Sequence, residues 1–324
     1  MKIWFLLGIL LLAGCEVKTG NVDTVYSEDG EIEDVFFCPR DDCGKELEEF
    51  ILSAEESVHC ALFDLDLENV IDALKLKSKS IDVKLVVDDR NWEYVSSLDF
   101  AINDTSSQLS HNKFCVVDSK RVSTGSFNPT ENGNSKNNNN MIILKSDYIS
   151  ENHEEEFSEL WGRSFGKGRN VEYPVVYLDG MEVENYFCPE DRCSEMVVEE
   201  IKKAEDSVYF MTFSFTHESI ANNILLKKDN ITIKGIFENV GAGSKYSKFN
   251  VFDYQGMDVR RDNNSGAMHH KVFIIDNSTV ITGSFNPSKS ADTRNDENIL
   301  IIHDRGVAAK YLDEFEHVWE NYTY

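Results

Sequence analysis

The stretch HNKFCVVDSKRVSTGSFN at residues 111–128 returns as HHKVFIIDNSTVITGSFN at residues 269–286. Both copies place a lysine two residues after the first histidine, an aspartate seven, a serine fifteen and an asparagine seventeen residues after it. Side chains two residues apart on a strand lie on the same face, so each histidine and its lysine can enter one cleft. The repeat therefore predicts two equivalent strand pairs that present the same polar groups.

The duplication extends well beyond this stretch. Residues 37–43, FCPRDDC, reappear as FCPEDRC at 187–193, an offset of 150 that becomes 158 at the histidine motifs. The second copy thus has eight extra residues, near the glycines of residues 241–243. Each half alternates strand and helix patterns, which predicts an α/β fold of two duplicated α/β/α halves with pseudo-twofold symmetry. We place the halves at 31–168 and 169–324.

The N-terminus is typical of a targeting segment. Lys2 precedes an apolar run at residues 3–12, which is too short to span a bilayer, and small residues follow before Cys15. This pattern predicts a lipoprotein-type signal segment at 1–15 with lipidation of Cys15, then a polar tether at 16–30. An ordinary signal peptide or an uncleaved anchor is the alternative. We expect the mature protein at the extracytoplasmic face of the cell membrane, lipid-anchored, or secreted in the alternative case.

The charge limits the classes of partner. The sequence has 58 acidic and 32 basic residues, a formal net charge of −26. Such a surface repels polyanions at long range, which disfavours a protein that coats extended nucleic acid. It leaves room for a local basic pocket that binds one phosphate.

The repeated motif residues suit an anionic phosphodiester. Ammonium, amide and hydroxyl groups can neutralise and orient the non-bridging oxygens and stabilise the charge of the transition state. One neutral imidazole can attack phosphorus, and a second, protonated imidazole can donate a proton to the leaving oxygen. We predict as catalytic His111, His269, Lys113 and Lys271, and as phosphate-binding Ser126, Asn128, Ser284, Asn286 and Asn139.

The pattern H-x-K-x4-D-x6-G-S, at residues 111–126 and 269–284, resembles the signature of the phospholipase D superfamily. The second copy is especially similar to small members, such as bacterial nuclease-like enzymes and mitochondrial cardiolipin hydrolases. The resemblance implies hydrolysis or transfer of a phosphodiester through a phosphohistidine, with no metal or other cofactor. It leaves two substrate classes open, phospholipids and nucleic acids.

The two halves differ at one position that the resemblance makes important. Glu297 follows His269 by 28 residues, where family members place a carboxylate behind the imidazole, and the first half has Asn139 there. A carboxylate partner favours the imidazolium form, whereas an amide does not. We therefore predict that His269, backed by Glu297, is the general acid and that His111 is the nucleophile.

The remaining motif residues and the cysteines have structural interpretations. Asp118 and Asp276 are predicted salt-bridge partners, and His270, which has no counterpart in the first half, is predicted to face outward. Cys60 and Cys115 fall in apolar strands and are predicted buried free thiols. The two Cys-x4-Cys pairs are predicted disulfides, with a shared four-cysteine metal site as the alternative: Cys38 with Cys43, and Cys188 with Cys193.

Together these observations predict a monomeric enzyme, since one chain carries both motifs. The favoured activity is a phospholipase D-type phosphodiesterase that acts on a phospholipid headgroup. The alternative is an extracytoplasmic endonuclease or phosphodiesterase acting on DNA or RNA, with single-stranded nucleic acid as its expected partner. An inactive phosphate-binding scaffold ranks last, because both motifs are complete.

Overall fold

The computed structural model describes residues 25–324. The predicted signal segment at 1–15, with Cys15, and most of the predicted tether lie outside these residues. The last part of the predicted tether at 16–30 is folded, because Tyr26–Glu28 form a short strand. Within the described residues, no helix is both long enough and apolar enough to cross a bilayer.

The first half alternates strands and helices up to its histidine motif and then forms an antiparallel meander and a closing helix. Its elements are β1 (Tyr26–Glu28), β2 (Glu31–Cys38), α1 (Cys43–Leu52), β3 (Ser57–Leu62), α2 (Glu68–Lys77), β4 (Asp82–Asp88), a 3-10 helix (Asp89–Tyr94), β5 (Ala101–Asp104), β6 (Lys113–Val117), β7 (Arg121–Gly125), α3 (Glu131–Ser135), β8 (Asn139–Lys145) and α4 (Asp147–Trp161).

The second half repeats this order, with two short helices where the first half has its 3-10 helix. Its elements are β9 (Val175–Leu178), β10 (Met181–Cys188), α5 (Cys193–Lys203), β11 (Ser207–Thr212), α6 (Glu218–Lys227), β12 (Thr232–Phe237), α7 (Asn239–Ala242), α8 (Phe249–Tyr254), β13 (Asp258–Arg261), β14 (Lys271–Ile275), β15 (Thr279–Gly283), α9 (Lys289–Thr293), β16 (Glu297–His303) and α10 (Arg305–Asn321).

Each half contributes one mixed sheet. In the described residues the first has the order β2-β8-β7-β6-β3-β4-β5, and the second has the order β1-β9-β10-β16-β15-β14-β11-β12-β13. The last seven strands of the second sheet match the first sheet strand for strand, so the duplication seen in the sequence is a duplication of topology. The predicted α/β fold of two similar halves is confirmed.

The sheets are buried on both faces, as the nearly continuous apolar runs of their strands require. One apolar cluster packs α1 and α2 against the outer face of the first sheet, and a second packs α5 and α6 against the second sheet. The third cluster lies between the halves and combines both inner faces with α4 and α10. This shared central core holds the two histidine motifs against each other.

The cysteines pair within the first half more extensively than the sequence predicts. Disulfides join Cys38 to Cys43 and Cys188 to Cys193. A further disulfide joins Cys60 to Cys115, so the prediction of free thiols for these two is wrong. The two residues lie directly opposite each other on antiparallel strands β3 and β6, with Cα atoms 4.1 Å apart. Side chains directly opposite each other on an antiparallel pair lie on the same face of the sheet. The sequence alone does not reveal the register of the two strands, so it does not predict this pairing.

Candidate active site

The backbone of each motif histidine is hydrogen-bonded to the other half of the molecule. The His111 amide donates to the carbonyl oxygen of Asp296 at 2.9 Å, and the His269 amide donates to that of Asn138 at 2.8 Å. These bonds accompany two parallel β-bridges at the ends of the sheets, where equivalent strand ends meet. The pseudo-twofold arrangement therefore brings His111 and His269 into one site.

The side chains behind the histidines also come from the opposite half. Glu297 Oε2 lies 2.7 Å from His111 Nδ1, whereas His269 Nδ1 lies 2.8 Å from Asn139 Oδ1 and 3.1 Å from the carbonyl oxygen of Ser126. The predicted pairing of Glu297 with His269 is wrong, because β16 and β8 each reach across the interface. Within residues 25–324 neither Nε2 atom has a hydrogen-bond partner, so both remain available to a substrate.

Glu297 is an ionised, fully buried carboxylate. It accepts hydrogen bonds from Ser284 Oγ at 2.7 Å and from Asn295 Nδ2 at 3.2 Å. Burial on its own would raise the pKa of Glu297, but the adjacent His111 and Lys113 and the hydrogen bonds outweigh it and lower that pKa. The carboxylate can therefore stabilise positive charge on the His111 ring.

The two histidines differ in how readily they take up a proton. Burial lowers the pKa of His111 to about 4, although Glu297 opposes this shift. Burial also lowers the pKa of His269 well below its ordinary value, and the positive charges of the two motif lysines add to the effect. No carboxylate compensates at His269, because its partner Asn139 is neutral. Burial thus disfavours the cationic form of both rings, and a bound anion would favour protonation of either.

Two lysines place positive charge in the same cleft. Lys113 Nζ and Lys271 Nζ donate to the carbonyl oxygens of their own motif histidines at 2.5 and 2.6 Å. They also lie over the rings of Phe63 and Phe213, 4.9 and 5.1 Å from the centroids. Burial lowers the pKa of Lys113 to about 7 and lowers that of Lys271 as well, with the charge of Lys113 contributing. Two partly desolvated ammonium groups so close together provide a strong site for a phosphate anion.

The predicted phosphate-binding residues separate into two groups. Ser126 and Ser284 are fully buried, and their hydroxyls bond to the amides of Asn140 and Asn298. Asn139 is equally buried and holds His269. These three therefore position the site and do not face a substrate, which corrects the prediction. The cause is strand geometry, since the G-S turn directs the serine hydroxyl onto the neighbouring strand.

Asn128 and Asn286 remain suited to phosphate. Both are half-buried, and in the part of the chain that the structure describes their Nδ2 groups make no hydrogen bond. Each follows its serine by two residues, so the pair lies at equivalent positions of the two halves. An amide N–H from each half can thus reach a bound phosphodiester.

The motif aspartates are structural, but not as salt-bridge partners. Asp118 accepts hydrogen bonds from the backbone amides of residues 55–57, and Asp276 accepts them from residues 205–207. Both lie in left-handed turns, with φ of 55° and 51°. Each carboxylate therefore fixes the chain that enters β3 or β11 beside the histidine strand.

A buried polar network between the halves was not found from the sequence. His270, predicted to face outward, is fully buried and contacts Asn140 Nδ2 at 3.1 Å and Glu314 Oε1 at 3.2 Å. At the symmetric position, Asn298 Nδ2 donates to Asn112 Oδ1 at 3.0 Å. Although the first half has no histidine at the position of His270, it has another polar residue there, Asn112, and this shared polarity was the available signal.

These features are typical of one class of protein: a phosphodiesterase whose cleft contains two histidines and two lysines, one of each from each half. A family model described as "Cardiolipin synthase, PLD-like domain" matches residues 47–161 and 197–319. The chain belongs to the phospholipase D superfamily and is a phosphodiesterase of the phospholipase D type.

Individual relatives agree with this assignment. A phospholipase D of Rickettsia prowazekii is 33% identical over 144 residues, which are 44% of this chain and 70% of that protein. A mitochondrial cardiolipin hydrolase of Xenopus tropicalis is 35% identical over 121 residues, 37% of this chain and 58% of that protein. The crystal structure of phosphatidylserine synthase from Haemophilus influenzae Rd KW20 aligns with a TM-score of 0.69 over 91% of this chain and 88% of that chain; at 13% identity it supports the fold alone.

Proposed function

We propose that the enzyme cleaves a phospholipid headgroup ester through a phosphohistidine, with His111 as nucleophile and His269 as general acid. The observation that carries this assignment is the crossed pairing of His111 with Glu297 and of His269 with Asn139. The roles of the two histidines are those predicted from the sequence, but the physical reason differs, because the carboxylate lies behind His111 and not behind His269. A carboxylate behind His111 stabilises the cationic ring that forms when Nε2 binds phosphorus.

In the first step, His111 Nε2 attacks phosphorus and the bond from phosphorus to the headgroup oxygen breaks. A proton on His269 Nε2 transfers to that oxygen, so the headgroup leaves as a neutral alcohol. The anionic substrate favours the protonated form of His269, because a phosphate beside the ring raises its pKa, and the proton comes from solvent. Lys113, Lys271 and the Asn128 and Asn286 amides stabilise the charge on the non-bridging oxygens.

In the second step, water attacks phosphorus and the bond to His111 Nε2 breaks. Neutral His269 accepts the proton of the water, and the product is phosphatidate. An alcohol in place of water would give headgroup exchange by the same route. Glu297 stays ionised throughout and keeps the Nδ1–H of His111 directed away from the phosphate.

Charge and targeting support a lipid as the substrate. A net charge of −26 disfavours long polyanions, and the predicted lipid anchor on Cys15 would hold the enzyme beside phospholipid headgroups. Three disulfides in the described residues fit an oxidising, extracytoplasmic compartment. Relatives named phospholipase D and cardiolipin hydrolase support the same substrate class.

The test compares phospholipid vesicles with single-stranded DNA as substrates for the purified protein in EDTA. We expect headgroup release, and we expect that His111→Ala and His269→Ala each abolish it. Cleavage of DNA alone would replace the lipid assignment with a nuclease. Activity on neither substrate by a folded protein would overturn the proposal.

A further inference from the structure

A cavity of about 610 Å³ lies beside the second histidine motif, under the segment that is longer in the second half. It is lined by the first turn of α6 and by residues 245–248 of the loop between α7 and α8. The cavity lies next to the end of the second histidine motif. Two of its lining residues make this connection, because the backbone amides of Thr216 and His217 both donate to the carbonyl oxygen of Pro287 at 2.9 Å. Pro287 directly follows Asn286 of the phosphate-binding motif.

The cavity carries groups that favour an anion. Three lysines line it, and Lys248 is paired with Glu218. In the described part of the chain Lys245 and Lys289 form no ion pair, so their charges are available. Among the described residues no side chain caps the N-terminus of α6, a ten-residue helix whose first two residues, Glu218 and Ser219, line the cavity.

His217 adds a donor or acceptor that the fold does not use. Its Nδ1 atom is buried without a hydrogen-bond partner within residues 25–324, while Nε2 lies 3.6 Å from Asp292 Oδ2. The Asp292 carboxylate already has a second hydrogen-bond partner, since it also accepts from the amide of Ser194 at 2.9 Å. The two acidic residues of the cavity are thus already paired, and a ligand would meet the positive groups.

The positive lining of the cavity is not a general property of the fold, because the first half lacks it at the equivalent place. The residue equivalent to Thr216 is Asp66, and the residue equivalent to Lys289 is Glu131. Lys245 lies in the longer segment, for which the first half has a 3-10 helix instead. The same place beside the cleft is therefore acidic in one half and basic in the other, although the whole chain is strongly acidic.

We propose that this cavity binds a second phosphate group of the lipid substrate, so that the enzyme favours phospholipids with two phosphates over those with one. The inference rests on the proposed lipid-cleaving function and extends it to substrate choice. Lys245, Lys289 and the α6 N-terminus would contact the second phosphate while the first lies between the histidines.

The first experiment measures kcat/KM in mixed micelles for cardiolipin, with two phosphates, and phosphatidylglycerol, with one. The variant Lys289→Glu installs the residue of the first half. We expect it to lower kcat/KM about tenfold more for cardiolipin than for phosphatidylglycerol, since a charged hydrogen bond to phosphate contributes about that factor. The control is Lys228→Gln, at the opposite end of α6, which should leave the ratio unchanged. Equal effects of Lys289→Glu on both lipids would overturn the proposal.

A second measurement separates this site from the proposed function. Equilibrium dialysis with inorganic phosphate should give two bound equivalents for the wild type and one for Lys245→Gln/Lys289→Glu. If the enzyme cleaves neither lipid, the proposed function fails, and the dialysis result still decides whether the cavity binds phosphate. One equivalent in both proteins overturns the site. If the double variant loses one phosphate equivalent but the ratio of kcat/KM for cardiolipin to that for phosphatidylglycerol is unchanged, the cavity binds free phosphate only. That result overturns its role in lipid choice.

Discussion

Replacing Glu297 by glutamine tests the electrostatic role of the carboxylate behind His111. The substitution keeps the shape and an oxygen that can accept from His111 and Ser284, but it removes a buried negative charge 2.7 Å from Nδ1. Two unit charges at about 4 Å interact by about 4 kcal/mol at an effective dielectric constant of about 20. The cationic phosphohistidine would lose an interaction of that order, which corresponds to a rate loss of about a thousandfold.

The assay is steady-state headgroup release, with kcat and KM determined separately. We expect Glu297→Gln to lower kcat by about two to three orders of magnitude with little change in KM, because the charge on the ring develops only during the reaction. Since the carboxylate opposes the lowering of the His111 pKa, its loss should also move the acid limb of the residual activity to lower pH.

The matched comparison is Asn139→Asp, which puts a carboxylate behind His269 instead. It should raise the pKa of His269 and weaken it as an acid, so kcat falls most for substrates with poor leaving groups. Glu297→Gln should unfold at a temperature close to that of the wild type, whereas Asn139→Asp loses the buried hydrogen bond from Nδ2 to the Gly133 carbonyl oxygen and should unfold at a lower temperature. A folded Glu297→Gln enzyme with a kcat within threefold of wild type would refute the reasoning.

Three further predictions concern the acid, the lysines and the disulfide. His269→Ala should release a burst of about one equivalent of p-nitrophenol from a p-nitrophenyl ester, followed by slow turnover, and no burst of headgroup from a natural lipid, because only the p-nitrophenol leaving group needs no proton. Burial lowers the pKa of Lys113 to about 7, so its charge is present below that pH and lost above it, and kcat/KM measured across pH 6–9 should fall as the pH rises. The Cys60→Ala/Cys115→Ala protein should lose about 4 kcal/mol of unfolding free energy in urea, from the loop entropy of a 55-residue separation. A kcat/KM that does not change with pH would contradict the prediction for Lys113. An unchanged urea midpoint of unfolding would contradict the prediction for the disulfide.

The repeated motif was sufficient to predict the fold and the four central residues. Two copies of one spacing imply two copies of one topology, and the alternation of strands predicted which side chains share a face. His111, His269, Lys113 and Lys271 accordingly lie in one site. These features depend on local periodicity, which a sequence displays directly.

The partners of these residues could not be predicted in the same way. Glu297 contacts a histidine 186 positions away in the other half, and only the packing of the halves decides between His111 and His269. The burial of His270 and the pairing of Cys60 with Cys115 likewise depend on how the halves and strands align. Contacts across the pseudo-twofold axis leave no trace in the spacing within one half.

Identification of the covalent adduct tests the central claim most directly. A phospholipid analogue whose headgroup is p-nitrophenol, a leaving group that needs no proton, is mixed with the His269→Ala enzyme, which lacks the group that activates water. The reaction is quenched in alkali because phosphohistidine is labile in acid. Peptide mapping by mass spectrometry then locates the phosphorus-containing group. An adduct on His111 that is absent from His111→Ala/His269→Ala is the predicted result. No adduct, or an adduct on His269 in the wild type, would contradict the assignment of His111 as the nucleophile.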